Sequence, residues 1–231
     1  MLQLKLQEIL NNSLKEIDHK QCALMFTGGL DSVLLAYLMR RYGIRVTAIT
    51  VQFEEFNLRT VFSGIKAARH MQLSHQILYV TLKEFLSTFP LLQGVVNKPI
   101  WDLDLTLAYA ALKKYDITVA GRIFVSGMGS DQWLGNIPFK KDSIDEEAHH
   151  QVAATLGYKF IFPFLSPEVK LFSKQIPFEQ KQNKKLIRDL IPDNYLRFIE
   201  NNNPQRREIQ IPSYVRQILI RMYGRCCFGD V

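Results

Sequence analysis

The chain alternates between two hydrophobic periods, and this alternation restricts its fold more than any other feature. Strand-like runs at CALMF (22–26), RVTAITV (45–51), QILYV (76–80) and IFVSG (123–127) are separated by helical runs such as VLLAYLMRRY (33–42) and VFSGIKAARHM (61–71). Short apolar runs interleaved with helices predict an α/β fold, a parallel sheet flanked by helices. A further helix is expected over DLDLTLAYAALKKY (102–115), and Gly43, preceded by Arg40 and Arg41, marks a helix stop. After Gly135 the strand signals fade. The segments 145–156, 167–175, 181–191 and 213–223 read as helices, so the carboxyl-terminal part is expected to be mostly helical. In the first segment Leu2, Leu6, Ile9, Leu10, Leu14 and Ile17 recur at helical spacing, which predicts an amphipathic helix within 1–19 packed on the core.

A chain of 231 residues with 47% hydrophobic content can build one good core but hardly two large ones, so a single domain is expected. No apolar run approaches the roughly 20 residues that span a bilayer, and the start lacks a small-residue cleavage site, so no membrane association is expected. The 29 Lys and Arg exceed the 22 Asp and Glu, a net +7 that suits an anionic substrate or nucleic acid without distinguishing them. Cys22 lies in a core strand, and Cys226 and Cys227 are adjacent near the end. This is neither a metal-ligand spacing nor a disulfide framework, which fits a reducing, cytoplasmic compartment. The only candidate for a mobile linker is NNNPQRRE at 201–208.

The stretch FTGGLDSVLLA (26–36) carries a hydroxyl, two glycines and an Asp-Ser pair from a strand into a helix. In an open parallel sheet ligands bind beyond the carboxyl ends of the strands, where a following helix presents free N–H groups. Gly28 and Gly29 allow the backbone to approach phosphate oxygens, and the hydroxyls of Thr27 and Ser32 can donate to them. A carboxylate beside phosphate is repelled unless a cation lies between, so Asp31 points to a Mg²⁺ ligand. The same residues also suit a helix cap, and taken alone the stretch leaves both readings open.

A second stretch, VSGMGSDQWLGN (125–136), also follows a strand and also places Gly, Ser and Asp in a loop. Together the two resemble the ATP-pyrophosphatase loop (PP-loop) and companion loop of the asparagine synthetase-like family, where SGGLDS and SGEGSDE are usual. The segment FPFLSPEVKLFSKQIPFEQKQNKKLIRDLIP (162–192) resembles that family's PFLD, helix, and lysine four residues before an arginine, here Lys184 and Arg188. The resemblance covers 20–192 and leaves the helix at 1–19 and a helical tail at 193–231 unassigned. It implies the adenine nucleotide alpha hydrolase-like fold, ATP cleavage between the α and β phosphates, and a substrate oxygen activated as its AMP derivative with release of pyrophosphate. By position, Thr27, Gly28, Gly29, Asp31 and Ser32 would bind pyrophosphate, Phe26 would belong to the same nucleotide site, Val51 and Gly127 would lie near the adenosine, and Asp131 and Asp31 would hold Mg²⁺. Lys184 would neutralise charge developing on phosphate, as nucleotidyl transfer relies on positioning and charge stabilisation.

The departures restrict the reaction. Met128 stands where the family's first Glu takes a proton from ammonia, and a thioether cannot act as a base; Gln132 replaces the second Glu. No glutaminase domain is expected. Ordinary asparagine synthesis is therefore disfavoured, and a displaced carboxylate is sought at Asp102 or Asp104 in the preceding helix, or at Glu54 and Glu55 beyond the second strand. The expected activity is an adenylating synthetase that joins a nitrogen nucleophile to a small-molecule carboxylate or amide-type carbon in a specialised biosynthetic route. A sulfurtransferase that thiolates a nucleobase carbonyl is the alternative, with Cys226 and Cys227 as candidate sulfur carriers, since only a thiolate is reactive. A nucleotide-binding protein without catalysis is disfavoured by Asp31, Asp131 and Lys184. Trp133 could stack on a planar substrate or form a lid contact. His149 and His150 read as a solvated helix face. Val215, Ile218, Leu219 and Met222 share one face of a docking helix, which suits a homodimer or a separate nitrogen or sulfur donor protein better than RNA.

Overall fold

A computed structural model describes residues 1–17, 21–96, 103–115, 122–135, 145–202 and 213–223. Five parallel strands form one sheet in the order β3-β2-β1-β4-β5. They are β1 (Gln21–Met25), β2 (Arg45–Phe53), β3 (Ser74–Val80), β4 (Ile123–Val125) and β5 (Lys159–Ile161). The chain builds outward from β1 to β2 and β3, then crosses back to β4 and β5. The strand order therefore reverses between β1 and β4, and a ligand crevice opens beyond the carboxyl ends at such a point.

Alternate residues of each strand serve opposite faces, and the helices sort accordingly. Cys22 and Leu24 of β1 pack with α1 (Leu2–Leu14), α2 (Leu30–Arg41), α3 (Leu58–His70), α8 (Pro167–Ser173), α10 (Lys185–Arg188) and α11 (Asp193–Asn202). Ala23 of β1 packs on the other face with α4 (Leu82–Val96), α5 (Leu103–Lys114), α7 (Glu146–Thr155) and α12 (Ser213–Tyr223). The amphipathic first helix is present as expected: Leu6, Leu10 and Leu14 are buried, and α1 lies on α8 and α10. Helix α2 ends where Gly43 stands, with Gly43 N–H donating to the Arg40 carbonyl and Ile44 N–H to that of Met39, both at 3.0 Å.

Several expectations are corrected. The carboxyl-terminal half contributes β5, an edge strand whose three residues, KFI, are too few to show a period. Helix α4 contains Pro90, whose missing donor hid it in the sequence. The helix expected over 181–191 is broken into α9 (Phe178–Lys181), a 3₁₀ turn at Gln182–Lys184 and α10. Both His149 and His150 meet the Phe162 ring edge-on, at 5.6 and 5.3 Å, but His149 is buried while His150 stays half exposed, 3.9 Å from Glu146. On α12, Val215 and Leu219 are buried as expected, but Met222 points outward. Residues 203–208 of the supposed linker lie outside the described residues, and Asn201 and Asn202 belong to α11.

Because α1 supplies fully buried leucines rather than an isolated surface helix, Leu10→Ala should cost about 2–5 kcal/mol, the usual range for a buried leucine. Urea denaturation measures this. A change below about 0.5 kcal/mol, typical of surface sites, would show that α1 is not part of the core.

Candidate active site

The residues flanking the β1/β4 crevice come from three distant parts of the chain. The first loop leaves β1 at Phe26, whose N–H still donates to the Ile49 carbonyl of β2 at 2.7 Å. Gly28 then takes φ +74°, and a Cβ there would lie 2.7 Å from the Ser63 carbonyl oxygen of α3. Only glycine meets both the dihedral and the close approach without strain. Helix α2 starts at Leu30 with Gly29 as N-cap, and no side chain caps it, which removes the capping reading of Asp31 and Ser32. Ser32 Oγ donates to the Gly29 carbonyl at 3.1 Å and Thr27 is exposed, and the first N–H groups of a helix have no intrahelical acceptor.

The second loop leaves β4 and reaches α6 (Ser130–Trp133) through Gly127 and Gly129. A Cβ on Gly127 would come 3.0 Å from Asp31 Cβ, so the two loops are in contact. The third contribution is Lys184. Its Nζ lies 2.6 Å from Asp31 Oδ2, 2.6 Å from Asp131 Oδ1 and 2.7 Å from Ser130 Oγ. The ammonium is 3% exposed, against 20% and 28% for the two carboxylates. Lys184 and Asn183 both have left-handed backbones, at φ +52° and +51°, which costs about 1–2 kcal/mol each. Leu186 and Ile187, buried immediately afterwards, and the ammonium contacts hold that bend in place.

One ammonium and two carboxylates sum to −1, and a divalent cation added there would bring the centre to +1, suited to phosphate. The two carboxylate oxygens converge on one nitrogen at 2.6 Å each, and hard anionic oxygen donors are the kind that Mg²⁺ takes. Among the described residues no group of three or more His, Cys, Asp or Glu forms a metal cage. Two carboxylates, Asp31 and Asp131, would fit a Mg²⁺ that takes its remaining ligands from phosphate and water, its usual mode.

The remaining candidates divide. Val51 is buried in β2 beside Ile49 and Phe53, and its carbonyl accepts from Asn57 Nδ2 at 2.8 Å, so it offers a wall rather than a polar group. Met128 is half-buried against the sheet face that carries Ala23 and Phe124, and its N–H donates to Ser126 Oγ at 3.3 Å. Gln132 is half-buried in α6. Trp133 packs against the apolar clusters of both sheet faces, the lid-type contact rather than an open stacking platform, and its indole N–H is buried without a hydrogen-bond partner. Glu54, sought as a displaced base, is engaged elsewhere: its Oε1 accepts from Leu82 N–H at 2.6 Å at the start of α4. Asp104 is exposed in the first turn of α5. The far end of that helix meets β3, where Lys114 Nζ donates to the Tyr79 carbonyl at 3.1 Å. Asp102, Cys226 and Cys227 lie outside the described residues. Cys22 is buried and its thiol is pushed up to about 12 by loss of solvent, so it is unreactive.

Ser130 and Asn57 were not assigned roles from the sequence. Ser130 stands inside the GSD of the second loop, where the adjacent aspartate takes the attention. Asn57 carried only the weak signal of an Asn ahead of a helix, yet its amide closes the β2–α3 turn by also accepting from Phe53 N–H at 2.8 Å. Replacing Lys184 by Met leaves two carboxylates facing each other and should destabilise the fold. As both are partly solvated, the cost should be about 1–3 kcal/mol in urea denaturation, and Asp131→Asn in the same chain should restore part of it. Independent, additive effects would contradict the clamp. Iodoacetamide should leave Cys22 unlabelled in the native protein and label it once unfolded, as read by peptide mass.

The asparagine synthase family model matches residues 5–227. A comparison with curated proteins gives no match. Among solved structures, the U34-tRNA thiolase NcsA from Methanococcus maripaludis with its 4Fe-4S cluster is 16% identical, with 100% of this chain and 81% of that one covered at a TM-score of 0.45. The NH3-dependent NAD synthetase from Campylobacter jejuni is 16% identical, covering 100% and 96% at 0.41. The NMN synthetase from Francisella tularensis is 13% identical, covering 100% and 96% at 0.39. These likenesses are too distant to bear on chemistry. The family match spans both loops and Lys184, and the chain belongs to the asparagine synthase family.

Proposed function

We propose that the protein is an adenylating synthetase of the PP-loop class, acting on a small-molecule acceptor with a nitrogen nucleophile. The reading rests on one observation: Lys184 draws Asp31 of the first loop and Asp131 of the second into one charged centre at the strand-order reversal. The amides at the start of α2 and the exposed Thr27 hydroxyl bind phosphate oxygens, and the Ser32 hydroxyl can join them by turning from the Gly29 carbonyl. Mg²⁺ held by Asp31 and Asp131 would neutralise phosphate charge. A substrate oxygen attacks the α phosphorus and the bond to the β-phosphate oxygen breaks, so pyrophosphate leaves as the adenylate forms. Lys184 compensates the charge that accumulates on the leaving group, the kind of fixed electrostatic help on which this chemistry depends. Nitrogen then attacks the activated carbon, AMP departs, and the nitrogen loses its proton to solvent or substrate, since Met128 cannot accept it.

The family assignment favours nitrogen over sulfur. The sulfur alternative has an unreactive thiol in Cys22, so it depends on Cys226, Cys227 or an external persulfide. Among the described residues no helix is long and apolar enough to cross a membrane.

Incubation with ATP, Mg²⁺, ammonium and a panel of acceptors, followed by nucleotide chromatography and product mass, tests this reading. AMP and pyrophosphate should accumulate with a nitrogen-bearing product; ADP with phosphate would overturn the reading, and a sulfur-bearing product formed with sulfide would replace nitrogen by the alternative. Asp31→Ala, Asp131→Ala and Lys184→Ala should each lower turnover by about 10²–10³-fold, the loss seen when one charge-stabilising group is removed. Circular dichroism checks that each variant remains folded.

A further inference from the structure

The first loop is held from behind by a side chain outside both motifs. Thr50 Oγ1, on β2, donates to the Phe26 carbonyl at 2.5 Å in a buried setting, and His75 Nε2 of β3 lies 2.8 Å from the same hydroxyl. Thr50 has one proton and it goes to Phe26, so His75 Nε2–H donates in turn. Burial lowers the His75 pKa, which leaves a neutral ring able to donate from one nitrogen. The chain therefore runs from imidazole to hydroxyl to carbonyl, and linked hydrogen bonds of this kind reinforce one another.

The direction of the Phe26 carbonyl matters more than the energy of the bond. The peptide between Phe26 and Thr27 is trans and planar, as no cis bond is present, so its C=O and N–H point opposite ways. Strand β1 lies between β2 and β4. With the carbonyl fixed towards β2 by Thr50, the Thr27 N–H is turned towards the β4 side, where Asp131 and Lys184 flank the crevice. The space behind the loop is reserved for this contact. A Cβ on Gly64 of α3 would lie 2.7 Å from Thr50 Oγ1 and 3.2 Å from the Phe26 carbonyl oxygen.

We infer that Thr50, backed by His75, is a positioning residue that aims the Thr27 amide at the pyrophosphate portion of the nucleotide. This deepens the ATP reading and rests on it. The hydroxyl touches no substrate atom; it acts through the peptide it orients.

The test is titration calorimetry of inorganic pyrophosphate with Mg²⁺ into the full chain, comparing wild type with Thr50→Val and Thr50→Ser. Valine keeps the shape and removes the donor, so pyrophosphate affinity should fall about tenfold, the worth of one well-placed hydrogen bond to a charged ligand. Serine keeps the donor and should restore affinity to within about twofold of wild type. A purely structural role would instead lower the urea midpoint of Thr50→Val while leaving the affinity of the folded fraction intact. That result overturns the inference, as does equal weakening by valine and serine. Wild type that binds no pyrophosphate would overturn the ATP reading and this inference together, whereas binding that valine leaves unchanged overturns the inference alone.

Discussion

A buried ammonium has to be matched by anions and hydrogen-bond acceptors, and in this fold Lys184 finds them in two loops far away in sequence. Asp31 follows β1, Ser130 and Asp131 follow β4, and all three converge on one nitrogen at 2.6–2.7 Å. Without that ammonium the two carboxylates would face each other uncompensated, and the loops would be left to packing such as that of Gly127 on Asp31. The left-handed backbone at Asn183 and Lys184 is part of the same arrangement. The chain accepts a strained turn in order to bring an ammonium to the crevice, a pattern expected at sites that work rather than at sites that merely pack.

The sheet makes that convergence possible. Both loops leave the sheet at its carboxyl edge because β1 and β4 are parallel neighbours, and they are neighbours because the chain reverses its strand order there. The loops then approach each other closely, with Gly127 against Asp31 and Gly28 against the backbone of α3. Helices pack on both faces of the sheet, and the carboxyl edge at β1 and β4 carries the start of α2, a carboxylate pair and an ammonium. Phosphate chemistry follows from the placement of charge rather than from any single reactive side chain.

The parallel sheet and most of its helices were legible in the sequence because β1 to β3 and α1 to α3 run over five or more residues, and the short β4 was marked by the glycine-bearing loop that follows it. β5 was not, since three residues carry no period, and α4 was obscured by Pro90. The phosphate loop was legible from the spacing of Gly28, Gly29, Asp31 and Ser32. Lys184 was legible only through its distance to Arg188, while the bend that carries it was read as continuous helix, because a left-handed Asn183 is imposed by tertiary contacts that leave no local mark. The fate of the candidate bases shows the same limit. Glu54 and Asp104 have the right chemistry, but Glu54 is taken up at the start of α4, and Asp104 is exposed in the first turn of α5. Buried supports such as Thr50 and Asn57 carry ordinary residue types and become visible only as contacts.

The central claim is that the β1/β4 crevice receives the polyphosphate of ATP through both loops at once. Amide hydrogen exchange with and without α,β-methylene-ATP and Mg²⁺ addresses it directly, and needs no knowledge of the acceptor. The account predicts slower exchange in two separate segments, 27–32 and 127–131, with the amino end of β3 unchanged as an internal control. Protection in neither segment, or in one loop alone, would contradict the account.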